Sequence, residues 1–244
     1  MIPTATVSLA RALSKLGYCS RKEAVRLIEA RRVIVDGRLA TSPGRRIDPA
    51  KSRIAVDEVP VTRRGESLVI ALHKPTGFIT SRVDPAGRPT VYDLLRDVPD
   101  WVFPVGRLDR DTSGLLLLTN DHRLGHRLTD PEAHVAKTYH ALVKGVPDRS
   151  ALRALSEGGR LPDGTVCRPA QVRSLGVTRT GSWLEIVLTE GKNRQVRKMC
   201  QSVGHDVKTL ARVRIGGLGL GRLPSGHWRR LSPMSVAKLL RRPS

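Results

Sequence analysis

Val102-Phe103-Pro104-Val105-Gly106-Arg107-Leu108-Asp109-Arg110-Asp111-Thr112-Ser113-Gly114-Leu115-Leu116-Leu117-Leu118 places an apolar lead-in, a polar segment bounded by glycines and a second apolar run in succession. Leu115 to Leu118 is too short for a buried helix and reads as a core strand. A polar loop between two apolar strands is a common home for catalytic groups. Asp109 has Arg107 and Arg110 as sequence neighbours, and nearby cations favour an ionised carboxylate. That form suits a nucleophile or an electrostatic stabiliser better than a proton donor. Spacing alone leaves Asp109 and Asp111 equally readable as loop-capping residues.

Outward from this stretch the chain alternates short strands and helices without a regular period. Upstream, Leu68 to Leu72 ends in His73-Lys74-Pro75-Thr76-Gly77 and reads as a strand followed by a turn. Downstream, Lys137 to Val143 and Trp183 to Leu188 alternate as strands do. Asp148 is placed to cap a helix through Leu155. Val196, Met199, Cys200 and Val203 form a helical stripe that Gly204 stops. Val207 to Ile215 reads as another strand, and Ser232 as the cap of a final helix. Hairpins with interspersed helices predict an α+β class rather than a doubly wound sheet.

The N-terminal stretch has its own pattern. Leu9, Ala12, Leu13 and Leu16 recur at helical spacing before Gly17. Ser20 and Glu23 form a capping-box signature ahead of Ala24, Leu27 and Ile28. Val33-Ile34-Val35, Asp36-Gly37 and Arg38-Leu39-Ala40 predict a hairpin, and Ile54-Ala55-Val56 a further strand. Asp57 to Ser67 mixes charge, Pro and Gly and is the candidate linker. The expected organisation is a small domain over 1–59, a linker over 60–67 and a larger domain over 68–244.

The chain of 244 residues carries 43 Lys and Arg against 22 Asp and Glu, a net charge of +21. Residues 1–60 contribute +6, residues 61–191 only +3, and residues 192–244 +12. Clustering at both ends favours a defined surface for a polyanion over general solubilising charge. An anionic membrane surface and an acidic protein remain partners of the same sign, and a solvated basic face is the plain alternative. With only eight aromatic residues, folded RNA gripped through phosphate and shape is expected over single strands gripped by stacking. No apolar run approaches the length of a membrane span, and the N-terminus lacks the features of a signal peptide. Three well-separated cysteines, Cys19, Cys167 and Cys200, fit a reducing cytoplasm.

Three weaker signals are set aside. His122 and His126 are four apart, but Arg123 stands where a metalloprotease needs Glu, and no metal site is expected. Gly217-Leu218-Gly219-Leu220-Gly221 precedes no helix pattern and reads as a turn. Gly191-Lys192 lacks the spacing of a phosphate loop.

Ser8 to about Val59, with S-R-K-E-A-x-x-L-I-E-x-x-R-V-x-V-D-G at its centre, resembles the RNA-binding domain of the ribosomal protein S-four type. That resemblance implies RNA contacts through the second helix and its surroundings, here Arg11, Lys15, Arg21, Lys22 and Arg26. L-H-K-P-T-G at Leu72 to Gly77, G-R-L-D-R-D-T-S-G-L-L-L-L-T-N-D at Gly106 to Asp121, K-T-Y at Lys137 to Tyr139 and E-G-K-N-R-Q-V-R-K-M at Glu190 to Met199 resemble the motifs of ribosomal-RNA pseudouridine synthases. The resemblance implies a mixed, mostly antiparallel sheet with flanking helices and an RNA cleft. It implies Asp109 as the catalytic carboxylate, Tyr139 as the ring stacked on the target base, and Arg197 as the basic residue paired with Asp109. Arg107 would occupy the space of the flipped nucleotide, and Lys192 and Arg194 would meet phosphate.

The implied reaction detaches uracil from ribose, turns it and rejoins it through carbon 5. It is redox-neutral, so no cofactor is expected. The implied partner is ribosomal RNA or a ribosome-assembly intermediate, large-subunit RNA being favoured by E-G-K-N-R-Q-V-R, with the protein a cytoplasmic monomer. A non-catalytic RNA-binding or ribosome-assembly protein is the second reading; loss of Asp109, Tyr139 or Arg197 would favour it, and all three are present.

Overall fold

A computed structural model describes residues 6–61, 67–98 and 101–240. The chain divides into two compact units. One comprises Met1–Leu68 with Val98–Phe103 and Asn120–His122; the other comprises Val69–Asp97, Pro104–Thr119 and the chain from Arg123 onward.

In the first unit, β1 (Val7–Ser8) leads into α1 (Leu9–Lys15) and then α2 (Arg21–Glu29). Gly17 adopts φ 74° after α1, the left-handed residue that commonly ends a helix. The Ser20 hydroxyl accepts the Glu23 N–H at 3.1 Å and caps α2. The two helices bury Leu9, Leu13, Ala24 and Ile28, and each large aliphatic side chain removed from water contributes about 1.5–3 kcal/mol. A four-stranded sheet runs in the order β3 (Arg38–Leu39), β2 (Val33–Val35), β5 (Ile54–Val56), β6 (Val59–Pro60), while β4 (Arg46–Ile47) pairs with β1.

Two tight hairpins shape that sheet. Asp36 and Gly37 have φ of 53° and 77°, and Asp57 and Glu58 have 50° and 65°. Positive φ at both central residues matches the twist of the flanking strands. The second hairpin corrects the reading of Asp57 to Ser67 as linker, because Val59–Pro60 forms a strand on β5. Asp-Glu does there what Asp-Gly does at the first turn, and Arg32 forks onto Asp57 at 2.8 and 2.5 Å to hold it. Residues 62–66 of the expected linker lie outside the described residues. His122 also belongs to this unit. Its Nε2 lies 2.7 Å from the Ser14 carbonyl oxygen, and its ring stacks on Phe103 at 4.4 Å.

The second unit is built on β7 (Val69–Lys74), β8 (Phe103–Pro104), β9 (Ser113–Thr119), α3 (His122–Thr129), β10 (Lys137–Val143), α4 (Arg149–Glu157), β11 (Gly159–Arg160), β12 (Val166–Cys167), β13 (Gln171–Thr178), β14 (Gly181–Leu188), α5 (Gln195–Ser202), β15 (Val207–Ile215), β16 (Leu218–Gly219), β17 (Trp228–Arg230) and α6 (Pro233–Leu239). A nine-stranded sheet follows the path β13-β14-β10-β15-β9-β7-β17, with β16 on β15 and β8 on β9. Along that path the pairings are antiparallel except for β15 on β9. This is the α+β, mostly antiparallel architecture expected from the sequence. Asp148 caps α4 by accepting the Ala151 N–H at 2.8 Å, and Ser232 caps α6.

The parallel junction of β9 and β15 fixes the centre of the sheet. Gly114 pairs with Arg212 there and has φ 105°. A Cβ on it would lie 2.2 Å from the Arg212 carbonyl oxygen. No larger residue fits, so the glycine that closes the polar loop is set by the approach of β15. Leu115 to Leu118 are wholly buried, as expected for a central strand covered on both faces. Among the described residues no helix is long and apolar enough to cross a membrane.

Candidate active site

The polar loop between β8 and β9 is held from below by the end of β7. Lys74 is fully buried, and its ammonium donates to the carbonyl oxygens of Pro75 at 3.0 Å, Asp109 at 3.0 Å and Thr112 at 2.8 Å. Thr80 Oγ1 donates to the Leu108 carbonyl at 2.8 Å and accepts the Leu108 N–H at 3.2 Å. The Gly77 N–H donates to the Arg110 carbonyl at 2.8 Å. Leu72 to Gly77 and Gly106 to Gly114, far apart in sequence, are therefore tied together by these bonds. Burial pushes the Lys74 ammonium down to about 8, against the opposing pull of the Asp109 and Asp111 charges. Lys74 does not stand out in the sequence, because a lysine before Pro-Thr-Gly looks like a turn residue.

The loop forms one wall of a cavity of about 330 Å³. Arg107, Asp109, Tyr139, Lys192 and Arg194 all line it, so five of the residues named from sequence come together. The Asp109 side chain is 36% exposed, accessible to a ligand, and Arg194 lies 4.0 Å from it. Tyr139 reaches the cavity from β10. Lys192 and Arg194 arrive on the turn before α5, where Arg194 takes a left-handed conformation, φ 51°. Buried Gln195 closes that turn: its amide donates to Glu190 at 2.6 Å and its carbonyl oxygen accepts the Lys192 N–H at 3.1 Å.

Arg197 does not line the cavity and does not pair with Asp109 as expected. Its guanidinium donates to the Asp111 carbonyl at 2.8 Å and to the Val207 carbonyl at 3.0 Å. Its Nε lies 3.2 Å from Asp111 Oδ2, an ionic contact without hydrogen-bond alignment. Arg194 also forks onto Asp111 at 3.2 and 3.1 Å. Burial works against the charge of Asp111, but the Arg194 hydrogen bonds and both guanidinium charges offset it and hold the carboxyl below its usual range. The difference follows from spacing. Arg197 lies on the first turn of α5 and meets the loop at Asp111, while Asp109 two residues earlier turns toward the cavity.

The other expected RNA contacts lie in the first unit. Arg11 and Lys15 stand one turn apart on α1, Lys22 and Arg26 one turn apart on α2, and Arg21 at the start of α2; all five are exposed. Two cations of the cavity lining were missed from sequence, Lys137 and Arg212. Lys137 could have been found, since it stands two residues before Tyr139 on a predicted strand and shares its face. Among the described residues no cluster of three His, Cys, Asp or Glu side chains is arranged to hold a metal.

Known proteins match this chain over nearly its whole length. Residues 68–202 match the RNA pseudouridylate synthase family and residues 7–52 the S4 domain. A Bacillus subtilis protein named ribosomal large subunit pseudouridine synthase B is 38% identical over 95% of this chain and 94% of its own. A Salmonella typhi protein of the same name is 41% identical over 91% of this chain and 78% of its own. A crystal structure titled pseudouridylate synthase superposes with a TM-score of 0.67 at 27% identity, covering 96% of this chain and 99% of that one. With the G-R-L-D loop in place on the matching sheet, the chain belongs to the RNA pseudouridine synthase family.

Proposed function

We propose that the protein isomerises specific uridines of ribosomal RNA, in the large subunit, to pseudouridine. The observation that carries this reading is the single cavity in which Asp109, Tyr139, Arg107 and Arg194 meet. The names of the relatives support ribosomal RNA as the substrate class, and the S4 domain supports an RNA-gripping first unit.

The cavity takes one nucleotide, so the target uridine leaves its stack to enter. Arg107, exposed at the mouth, fills the space that the base vacates. The ring stacks on Tyr139. The Asp109 carboxylate then attacks C1′ of the ribose or removes its C2′ proton, and the C1′–N1 bond breaks. The ring turns, C5 bonds to C1′ as Asp109 leaves that carbon or returns the proton to C2′, and the C5 proton is lost while N1 gains one, with Tyr139 placed to assist. Nothing is oxidised or reduced, and no cofactor enters any step. Lys74 and Arg197 act at one remove, fixing the loop through its carbonyl oxygens and Asp111, so that Asp109 is already oriented when the base arrives. Lys192 and Arg194 meet phosphate, as do Arg11, Lys15, Arg21, Lys22 and Arg26.

Mapping pseudouridines in ribosomal RNA from cells with and without the gene tests the reading. The expected result is loss of pseudouridine at one or a few large-subunit positions, restored by the wild-type gene and not by Asp109→Asn. An unchanged map would contradict it.

A further inference from the structure

The cavity floor carries more positive charge than these steps use. Lys137 and Tyr139 are two apart on β10, so their side chains leave the same face of the sheet. Arg212 on β15 is the register partner of Tyr139 and shares that face. All three line the cavity. Arg212 is 4% exposed; its Nε donates to the Leu115 carbonyl at 2.8 Å, while Nη2 is buried without a hydrogen-bond partner. Thr112 Oγ1, on a residue of the cavity wall, is also buried and unpartnered. The Lys137 ammonium donates once, to the Val135 carbonyl at 3.0 Å, which leaves two of its hydrogens for a ligand. Neither cation has a carboxylate partner among the described residues. Burial first, and the charge of Arg212 second, push Lys137 down to about 8.

Two desolvated cations without an anion destabilise a fold, and function is the common reason that such groups are kept. We infer that Lys137 and Arg212 form an anion subsite that holds the pyrimidine ring while it is detached from ribose. The inference rests on the proposed reaction. When the C1′–N1 bond breaks, its electron pair stays with the ring and spreads over N1 and the ring carbonyl oxygens. Asp109 has by then bonded to C1′ or taken the C2′ proton; when C5 bonds to C1′, Asp109 leaves C1′ or returns that proton and regains its negative charge, and the C5 proton is then lost as N1 gains one. A ring stacked on Tyr139 lies above both its strand neighbour Lys137 and its cross-strand partner Arg212. Lys137 donates a hydrogen bond to a ring carbonyl oxygen, and Arg212 acts through its charge from beneath. The uracil that enters is neutral and the detached ring is not, so the two cations favour the transition state over the bound substrate. A compact ammonium with rotatable donors also keeps its hold while the ring turns, as a rigid guanidinium fork does not.

The test compares wild-type protein with Lys137→Met, Lys137→Arg and Arg212→Gln on a full-length large-subunit RNA transcript. Single-turnover pseudouridine formation at saturating protein, RNA affinity and melting temperature are measured for each. Loss of one such donor lowers rates about 100-fold. That loss is expected for Lys137→Met, with RNA affinity changed less than about threefold and a melting temperature equal to or above wild type. Lys137→Arg is expected to recover at least about tenfold of the rate, and Arg212→Gln to be slow without weaker RNA binding. An active wild type with Lys137→Met within about threefold of it would overturn the subsite alone. So would a Lys137→Met that loses rate and melting temperature together, since that marks a packing role. A wild type that forms no pseudouridine in this RNA would overturn the proposed reaction as well.

Discussion

In the first unit Arg11, Lys15, Arg21, Lys22 and Arg26 stand in solvent on two helices. In the second, Lys74 and Arg212 are withdrawn from solvent, and the Arg197 side chain is only 13% exposed. Exposed cations bind a polyanion by releasing its counterions, with little demand on geometry. Withdrawn cations lose hydration and must be held by hydrogen bonds, so each fixes a backbone or a carboxylate in place. Net charge alone does not separate these uses; burial and partners do.

The contrast breaks most visibly at Lys74. Lys74→Met leaves the Pro75, Asp109 and Thr112 carbonyls without their shared donor. Each orphaned buried acceptor costs about 1–3 kcal/mol, offset in part by relief of a desolvated charge, for an expected net loss of about 2–4 kcal/mol. The urea midpoint reads this. Pseudouridine formation should fall about 100-fold or more as the Asp109 backbone loosens, while RNA affinity stays near wild type.

Removing exposed charge should do the reverse. For Lys22→Gln with Arg26→Gln, RNA affinity is expected to fall several-fold and the slope of log K against log salt to flatten by about 1–2. The single-turnover rate at saturating protein should not change. Filter binding at several salt concentrations measures both quantities.

Lys137 sharpens the comparison through pH. Its ammonium loses its proton at about 8 in the folded protein against the usual 10.5. Below pH 8 the lysine is charged in both states and folding bears the full cost of desolvating it. Between about 8 and 10.5 the unfolded chain holds the extra proton, so that cost declines as pH rises. Lys137→Met should therefore exceed wild type in stability by about 1–2 kcal/mol at neutral pH, after allowance for solvent screening. The gap should close by pH 10.5. A gap that widened with pH would contradict the assignment. The smallest effect is Ser20→Ala, which removes the cap on the Glu23 N–H and should destabilise the first unit by about 1 kcal/mol in thermal melts.

Local signals in the sequence carried much of this architecture. Apolar spacing marked α1 and α2, Ser20 and Asp148 marked helix starts, and Asp36-Gly37 marked a hairpin. Leu115 to Leu118 marked a central strand. These features depend on neighbours a few residues away. Groups whose role depends on distant partners were not legible. Lys74 is held by the carbonyls of the loop before β9, which are far from it in sequence, and Arg197 meets Asp111 rather than Asp109 because of where α5 begins. Asp57-Glu58 hid a hairpin because Glu is an unusual turn residue. The exposed β13 edge, Gln171–Thr178, carries no clear alternation. Asp109, Tyr139, Arg107, Lys192 and Arg194 were named from motif and do share a cavity. The cation opposite Tyr139, Arg212, required the register of β10 on β15.

The division of labour between exposed and withdrawn charge is tested most directly by Asp109→Asn, measured for RNA affinity and single-turnover pseudouridine formation in the same preparation. The account predicts affinity within about threefold of wild type, because the phosphate-facing cations are untouched, and no detectable product. Retained pseudouridine formation, or a loss of binding that accounts for the loss of product, would contradict it.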